Sequence, residues 1–157
     1  MKIALLQTGK TTEKHISDGV EIYSARIRKY SGFEIITIAD QKNTRNMPVE
    51  EQKVKEGKKI LQAIGKDDIM VLLDERGKEL KTGEFAVWLE KQLAIPGKRI
   101  IFVIGGPWGF SQEVYKAAVF KLSLSKMTFP HQMVRLLLAE QLYRAFTIIK
   151  GEPYHHD

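Results

Sequence analysis

Hydrophobic positions along the chain follow two alternating rhythms. Runs that are apolar at every position, Ile3-Ala4-Leu5-Leu6, Ile69-Met70-Val71-Leu72-Leu73 and Ile100-Ile101-Phe102-Val103-Ile104, predict strands buried on both faces. Phe33-Glu34-Ile35-Ile36-Thr37-Ile38 is rich in β-branched residues and predicts another, and residues 119–124 predict a fifth. Between these runs the apolar spacing becomes helical. Ile16, Val20, Tyr23, Ile27 and Tyr30 draw one stripe over residues 12–30. Pro48, followed by Glu50 and Glu51, opens a helix that closes at Gly65. A third helix covers residues 82–93 and stops before Pro96-Gly97, and a short one starts near Ser111. The last, residues 130–149, carries Val134, Leu138, Leu142, Ala145 and Ile149 on one face. Residues 40–46 and the charged stretch after Leu73 read as loop and turn. The alternation predicts one α/β domain over residues 1–157, a parallel sheet flanked by helices.

Composition narrows the picture modestly. A chain of 157 residues suits one domain with a sizeable core. Cysteine is absent, so disulfides and thiolate metal sites are unavailable, which fits a reducing cytoplasm. The first apolar stretch ends at Gln7, too short for a secretory leader, and no run approaches the roughly 20 residues of a membrane helix. A cytoplasmic protein without a membrane partner is expected. Twenty-five Lys and Arg against nineteen Asp and Glu give a net charge of +6, which favours a polyanionic partner. A basic protein with no nucleic-acid role is an equally good reading of charge alone.

Two stretches compete for the chemistry. Ala4-x-x-x-x-Gly9-Lys10-Thr11 matches a relaxed P-loop pattern, and Asp74-Glu75 after an apolar strand resembles the acids that hold magnesium beside one. That pattern needs a strand before a flexible glycine-rich turn. Here Leu5-Leu6-Gln7-Thr8 belongs to the strand itself, so a nucleotide hydrolase is the weaker alternative. The stronger candidate is Gly105-Gly106-Pro107-Trp108-Gly109, directly after an apolar strand, where three glycines in five residues let backbone approach a ligand closely. Taken alone, it reads better as a tight turn with no ligand. Two companions, the strand end at Leu72-Leu73-Asp74-Glu75-Arg76-Gly77 and the segment Leu122-Ser123-Leu124-Ser125-Lys126-Met127-Thr128-Phe129-Pro130-His131, shift the balance. Three such ends can form one pocket, offering backbone to the edge of an adenine and apolar side chains to its faces.

The strings LDERGKELKT, FVIGGPWGFS and LSLSKMTFPHQMVRLLLAEQLYRAFTIIKGEPYHH resemble those of the RlmH family of the SPOUT superfamily, which methylates N3 of a pseudouridine in 23S ribosomal RNA. The resemblance covers essentially the whole chain and is densest over residues 72–156. It implies a SPOUT-type α/β-knot with a C-terminal trefoil knot, S-adenosylmethionine as cofactor, and a homodimer. Spacing rules alone argue against knots. By resemblance, Leu73 is the cofactor contact at a strand end and Gly105 the first glycine of the knot turn. Leu124, Ser125, Lys126, Met127, Thr128 and Phe129 match the loop that wraps adenosine. Trp108 and Lys126 depart from many relatives, but both stand at variable side-chain positions on segments that bind through backbone.

Methyl transfer to a neutral imide nitrogen needs help with the proton and a firm hold on the base; no metal is required. Glu140 and Arg144 lie four apart on one helix face, either as a surface ion pair or as a pair that orients the base or its phosphate. The tail Gly151-Glu152-Pro153-Tyr154-His155-His156 is too polar for a core and is either a loose end or part of the site. The resemblance implies the latter, across the dimer, with Tyr154 stacking on the base and His155 accepting or relaying a proton. His131 is pocket-adjacent. Arg26, Arg28 and Lys29 are phosphate contacts or a solvated helix face. A chain without a separate RNA-binding module is expected to act on the assembled ribosome or large subunit. A non-catalytic ribosome-binding protein is the remaining alternative.

Overall fold

Strands form where the sequence is apolar on both faces, and the computed structural model, which describes residues 2–156, shows what covers each face. The strands are β1 (Ile3–Thr8), β2 (Phe33–Ile38), β3 (Asp68–Glu79), β4 (Arg99–Ile104) and β5 (Phe120–Ser123). All pair in parallel in the order β2-β1-β4-β3-β5. The helices between and after them are α1 (Lys14–Ile27), α2 (Val49–Ala63), α3 (Thr82–Leu93), α4 (Gln112–Ala117) and α5 (His131–Ile149). Because side chains alternate along a strand, each apolar run divides between two cores. Ile3 and Leu5 of β1 join Ile100 and Phe102 of β4 against Ile27 of α1, Leu89 of α3, and Leu138 and Leu142 of α5. Ala4 and Leu6 join Ile101 and Val103 against Ile60 of α2 and Val114 of α4.

The second layer depends on a close approach. Gly57 of α2 lies over the start of α4, and a Cβ there would stand 2.5 Å from Ser111 Oγ and 3.2 Å from Val114 Cγ2. Ser111 is the N-cap of α4, its Oγ accepting from Val114 N–H at 3.3 Å. Alanine in place of helical glycine ordinarily adds up to about 1 kcal/mol. Gly57→Ala instead destabilises the protein by about 1–2 kcal/mol, because overpacking outweighs propensity. A lowered urea midpoint at unchanged slope is the expected result; a raised midpoint contradicts the packing argument.

Two local features differ from the sequence reading. The strand expected to end at Leu73 continues to Glu79, with Leu73 and Lys78 both opposite Leu122 of β5, so residues 74–77 bulge out of the ladder. Gly77 returns the chain to the sheet: a Cβ there would lie 2.7 Å from the Lys121 carbonyl carbon. The first helix ends at Ile27 rather than at Tyr30, and the Tyr30 ring stacks on Phe146 of α5 at 5.4 Å.

The core also contains a charge. Arg135 of α5 is 1% exposed; its Nη2 donates to the Thr8 carbonyl at 2.7 Å and its Nη1 to Thr11 Oγ1 at 3.0 Å. Burial pushes its pKa down from the ordinary arginine value. The guanidinium ties α5 to the chain leaving β1. The sequence sign of its burial is that residues 135, 138 and 142 share one helical face.

Candidate functional site

The carboxyl ends of β3, β4 and β5 open into a cavity of about 710 Å³. One wall is the turn after β4. Backbone must approach closely here: a Cβ on Gly105 would lie 2.8 Å from Phe110 Cε1, and one on Gly106 would lie 2.7 Å from Glu56 Oε2. Gly109 turns the chain at a φ of +85°, a region that L side chains rarely occupy. Beneath the turn, Glu56 of α2 accepts the Gly106 N–H at 3.0 Å. Burial raises the pKa of that carboxyl, and the Gly106 hydrogen bond only partly offsets the effect.

The opposite wall is the segment after β5. Ser123 Oγ donates to the Ser125 carbonyl at 2.9 Å, and Ser125 Oγ accepts from Met127 N–H at 2.9 Å, so the loop is wound on its own hydroxyls. Thr128 Oγ1 donates to Glu75 Oε2 at 2.9 Å, joining this loop to the bulge of β3. The bulge is anchored in turn by the Tyr115 hydroxyl, which donates to the Asp74 carboxylate. Burial, followed by that carboxylate, pushes the Tyr115 phenol up.

Of the candidate residues, Leu73, Gly105, Leu124, Ser125, Met127, Thr128 and Phe129 line the cavity. The Lys126 side chain is 86% exposed, off the cavity wall, and pairs with Glu79 at 3.7 Å. Asp74 and Tyr115 line it too, 41 residues apart, which no local pattern could reveal. His131 also borders the cavity, and burial followed by the nearby Arg135 charge depresses its pKa. As pH falls through about 6.5, the unfolded chain takes up this proton before the folded one. The fold therefore loses stability below that pH, and His131→Gln removes part of the loss. Melting temperatures at pH 7.5 and 5.5 test this; identical pH dependence in both proteins contradicts it.

A second cluster forms where the tail folds back on α5. Arg144 donates to Glu140 Oε1 from Nε at 2.8 Å and from Nη2 at 2.6 Å, with both side chains largely buried. The Arg144 guanidinium lies over the Tyr154 ring, 4.6 Å from its centroid, and Tyr154 Oη donates to Glu140 Oε1 at 3.2 Å. Arg144 Nη1 donates to His155 Nδ1 at 3.3 Å. Burial, the Tyr23 hydroxyl and Glu140 push the Tyr154 phenol up to about 12, so it stays protonated near neutrality. Glu140, Arg144, Tyr154 and His155 are thus brought together, and the tail is docked on α5.

The cluster does not border its own chain's cavity. Val134 of α5 lines the cavity, and Arg144 lies ten residues further along, about 15 Å at 1.5 Å per residue. Arg26 packs beside the cluster, over the rings of Tyr23 and Tyr143 at 5.5 and 5.3 Å. Arg28 is held by Glu21 at 3.2 Å and the Phe33 carbonyl at 3.3 Å. The P-loop alternative fails on geometry, because residues 4–8 are strand β1.

Comparison with known proteins agrees with this architecture. The family model described as "Predicted SPOUT methyltransferase" matches residues 1–155. The chain is 53% identical over 156 residues to a Christiangramia forsetii protein named ribosomal RNA large subunit methyltransferase H, covering 99% of each. It is 49% identical over 157 residues to a protein of the same name from Phocaeicola vulgatus, covering both completely. Among solved structures, a probable methylase family protein from Haemophilus influenzae Rd KW20 superposes with a TM-score of 0.51 at 18% identity, over 99% of this chain and 70% of that one, a likeness of fold.

Proposed function

The chain belongs to the SPOUT methyltransferase family, and on that premise we propose that it methylates N3 of a pseudouridine in 23S ribosomal RNA with S-adenosylmethionine as donor. The observation that carries this reading is the cavity at the strand ends, bounded by a glycine turn and by a loop that presents backbone. The relatives' shared name, ribosomal RNA large subunit methyltransferase H, supports the RNA class. The residues fit an adenosine: Leu73, Leu124, Met127 and Phe129 offer apolar faces, and Gly105, Leu124, Ser125 and Thr128 border the cavity with peptide groups for its polar edge. Bound there, S-adenosylmethionine supplies an electrophilic methyl group on a sulfonium.

The chain's own residues handle the acceptor. Arg144 stays charged and Tyr154 stays a phenol, so both donate hydrogen bonds that hold the base or its phosphate. His155 takes or relays the N3 proton at Nδ1 as the base draws Arg144 Nη1 away from it, and Glu140 fixes the guanidinium. Since this cluster stands about 15 Å along α5 from its own cavity, it serves the cavity of a second copy, in a homodimer. The C-terminal trefoil knot belongs to the same reading. In its support, the segment after β5 is bonded to the β3 bulge through Thr128 and to the chain after β1 through Arg135. Residues 1–157 act as one domain in the cytoplasm, on assembled ribosomes or large subunits, guided by the +6 charge.

Thermal-shift and RNA measurements test this. S-adenosylhomocysteine is expected to raise the melting temperature, and Mg-ATP to leave it unchanged; the reverse overturns the donor assignment. Mass spectrometry of 23S RNA from a deletion strain should show loss of one methylated pseudouridine, and no loss overturns catalysis. Equal methylation of naked RNA and whole ribosomes overturns the assembled substrate alone.

A further inference from the structure

A second cavity, of about 210 Å³, adjoins the glycine turn, and Gly106, Trp108 and His131 border both it and the larger one. Its remaining wall has a different character: Thr8 at the end of β1, Asp40 and Gln41 after β2, and Lys53 and Glu56 of α2. Two carboxylates therefore face one small space. Glu56 is 8% exposed and uses one oxygen for Gly106 N–H. Asp40 rests against Gly9, where a Cβ would stand 2.2 Å from Asp40 Oδ2. Among the described residues neither acid has an ion-pair partner within 4.0 Å.

The wall also carries unmet polar atoms. Six buried side-chain atoms among the described residues lack a hydrogen-bond partner, and three of them, Thr8 Oγ1, Gln41 Oε1 and His131 Nδ1, belong to residues of this cavity. The Thr8 side chain is more than nine-tenths buried, and its hydroxyl faces the Glu56 carboxylate without reaching hydrogen-bond geometry. Buried polar atoms are costly to leave unpaired, so such a concentration marks a place shaped for a polar occupant.

The geometry points to this cavity as the subsite for the aminocarboxypropyl arm of S-adenosylmethionine, with its ammonium between Asp40 and Glu56 and its carboxylate toward Lys53 and the Thr8 hydroxyl. The assignment rests on the donor reading of the adjoining cavity. It explains why charges of both signs line so small a space. A free anion such as phosphate would meet two carboxylates, whereas a zwitterion continuous with the adenosine gives both acids a cation and offers its carboxylate to Lys53, which otherwise pairs with the exposed Glu50 at 3.3 Å. Glu56 has a double task, since it also supports the Gly106 amide. Asp40 stands at the exposed mouth, so its substitution leaves the turn intact.

Calorimetric titration of the full chain with two ligands tests the subsite. S-adenosylhomocysteine carries the arm; 5′-methylthioadenosine has the same nucleoside without it. Wild type should bind the first at least tenfold more tightly. Asp40→Asn should weaken S-adenosylhomocysteine about tenfold, as expected for a lost charge-assisted hydrogen bond, and change 5′-methylthioadenosine less than twofold. Lys53→Met should show the same selectivity with a smaller loss. Equal weakening of both ligands, or of neither, overturns the subsite while leaving the donor reading in place. If neither loss appears but RNA binding falls, the cavity belongs to the acceptor and the assignment is again overturned. Failure of wild type to bind either ligand removes the donor reading and the subsite together.

Discussion

Arg144→Ala is expected to lower turnover on ribosomal substrate by about 10²–10³-fold, the scale seen when a preorganised donor is removed from a reacting centre. Affinity for S-adenosylhomocysteine should change less than twofold, because Arg144 is assigned to the acceptor base while Leu73, the glycine turn and the loop after β5 build the cofactor's walls. The guanidinium joins three partners: it is held by Glu140, covers the Tyr154 ring and donates to His155. Its loss removes two of the tail's contacts as well as a positive charge. Arg144→Lys should recover little, since a point charge reproduces neither the stacking plane nor the fork of donors. Tyr154→Phe separates ring from hydroxyl: it keeps the aromatic face beneath Arg144 and loses the bond to Glu140. A smaller fall than for Arg144→Ala is expected. If Arg144→Ala abolishes cofactor affinity while turnover per bound cofactor is preserved, the division between donor cavity and acceptor cluster is wrong.

Gly105→Val should reduce S-adenosylhomocysteine affinity by about 10–100-fold, corresponding to about 1–3 kcal/mol of overpacking. A Cβ at Gly105 would already lie 2.8 Å from Phe110 Cε1 and 3.3 Å from Glu56 Oε1, leaving the cavity as the direction of relief. Gly109→Ala provides the contrast. There a Cβ meets nothing nearer than Tyr115 Oη at 4.0 Å, and the cost is the positive φ alone, about 1–2 kcal/mol of backbone strain. The first substitution should register mainly in ligand affinity, and the second mainly in melting temperature. Equal effects of both on affinity would mean that the turn's conformation, rather than its closeness to neighbours, shapes the pocket.

The segments carrying this site were legible because their signals are local. Residues 105–109 announce a turn by glycine content, and residues 124–129 follow a strand with small hydroxyl residues. Lys126 lies on that loop but directs its side chain to Glu79 instead of the cavity, since the loop bends at residues 126–127. Glu56 gave no signal. It looked like one more charge on a polar helix, and its burial depends on a turn 50 residues away. Arg135 was hidden similarly, its acceptor Thr8 lying 127 residues distant.

Periodicity, with the proline, glycine and capping residues that punctuate it, determined the ten elements and their kind, because burial on one face or two leaves its mark within a few residues. Side-chain alternation then divided the strands between two helical layers. Tertiary structure alone decided the order β2-β1-β4-β3-β5, the bulge at residues 74–77 and the docking of the tail on Glu140 and Arg144. Each of these depends on hydrogen bonds or packing between segments far apart in the chain, and a local pattern is the same whichever distant partner completes it.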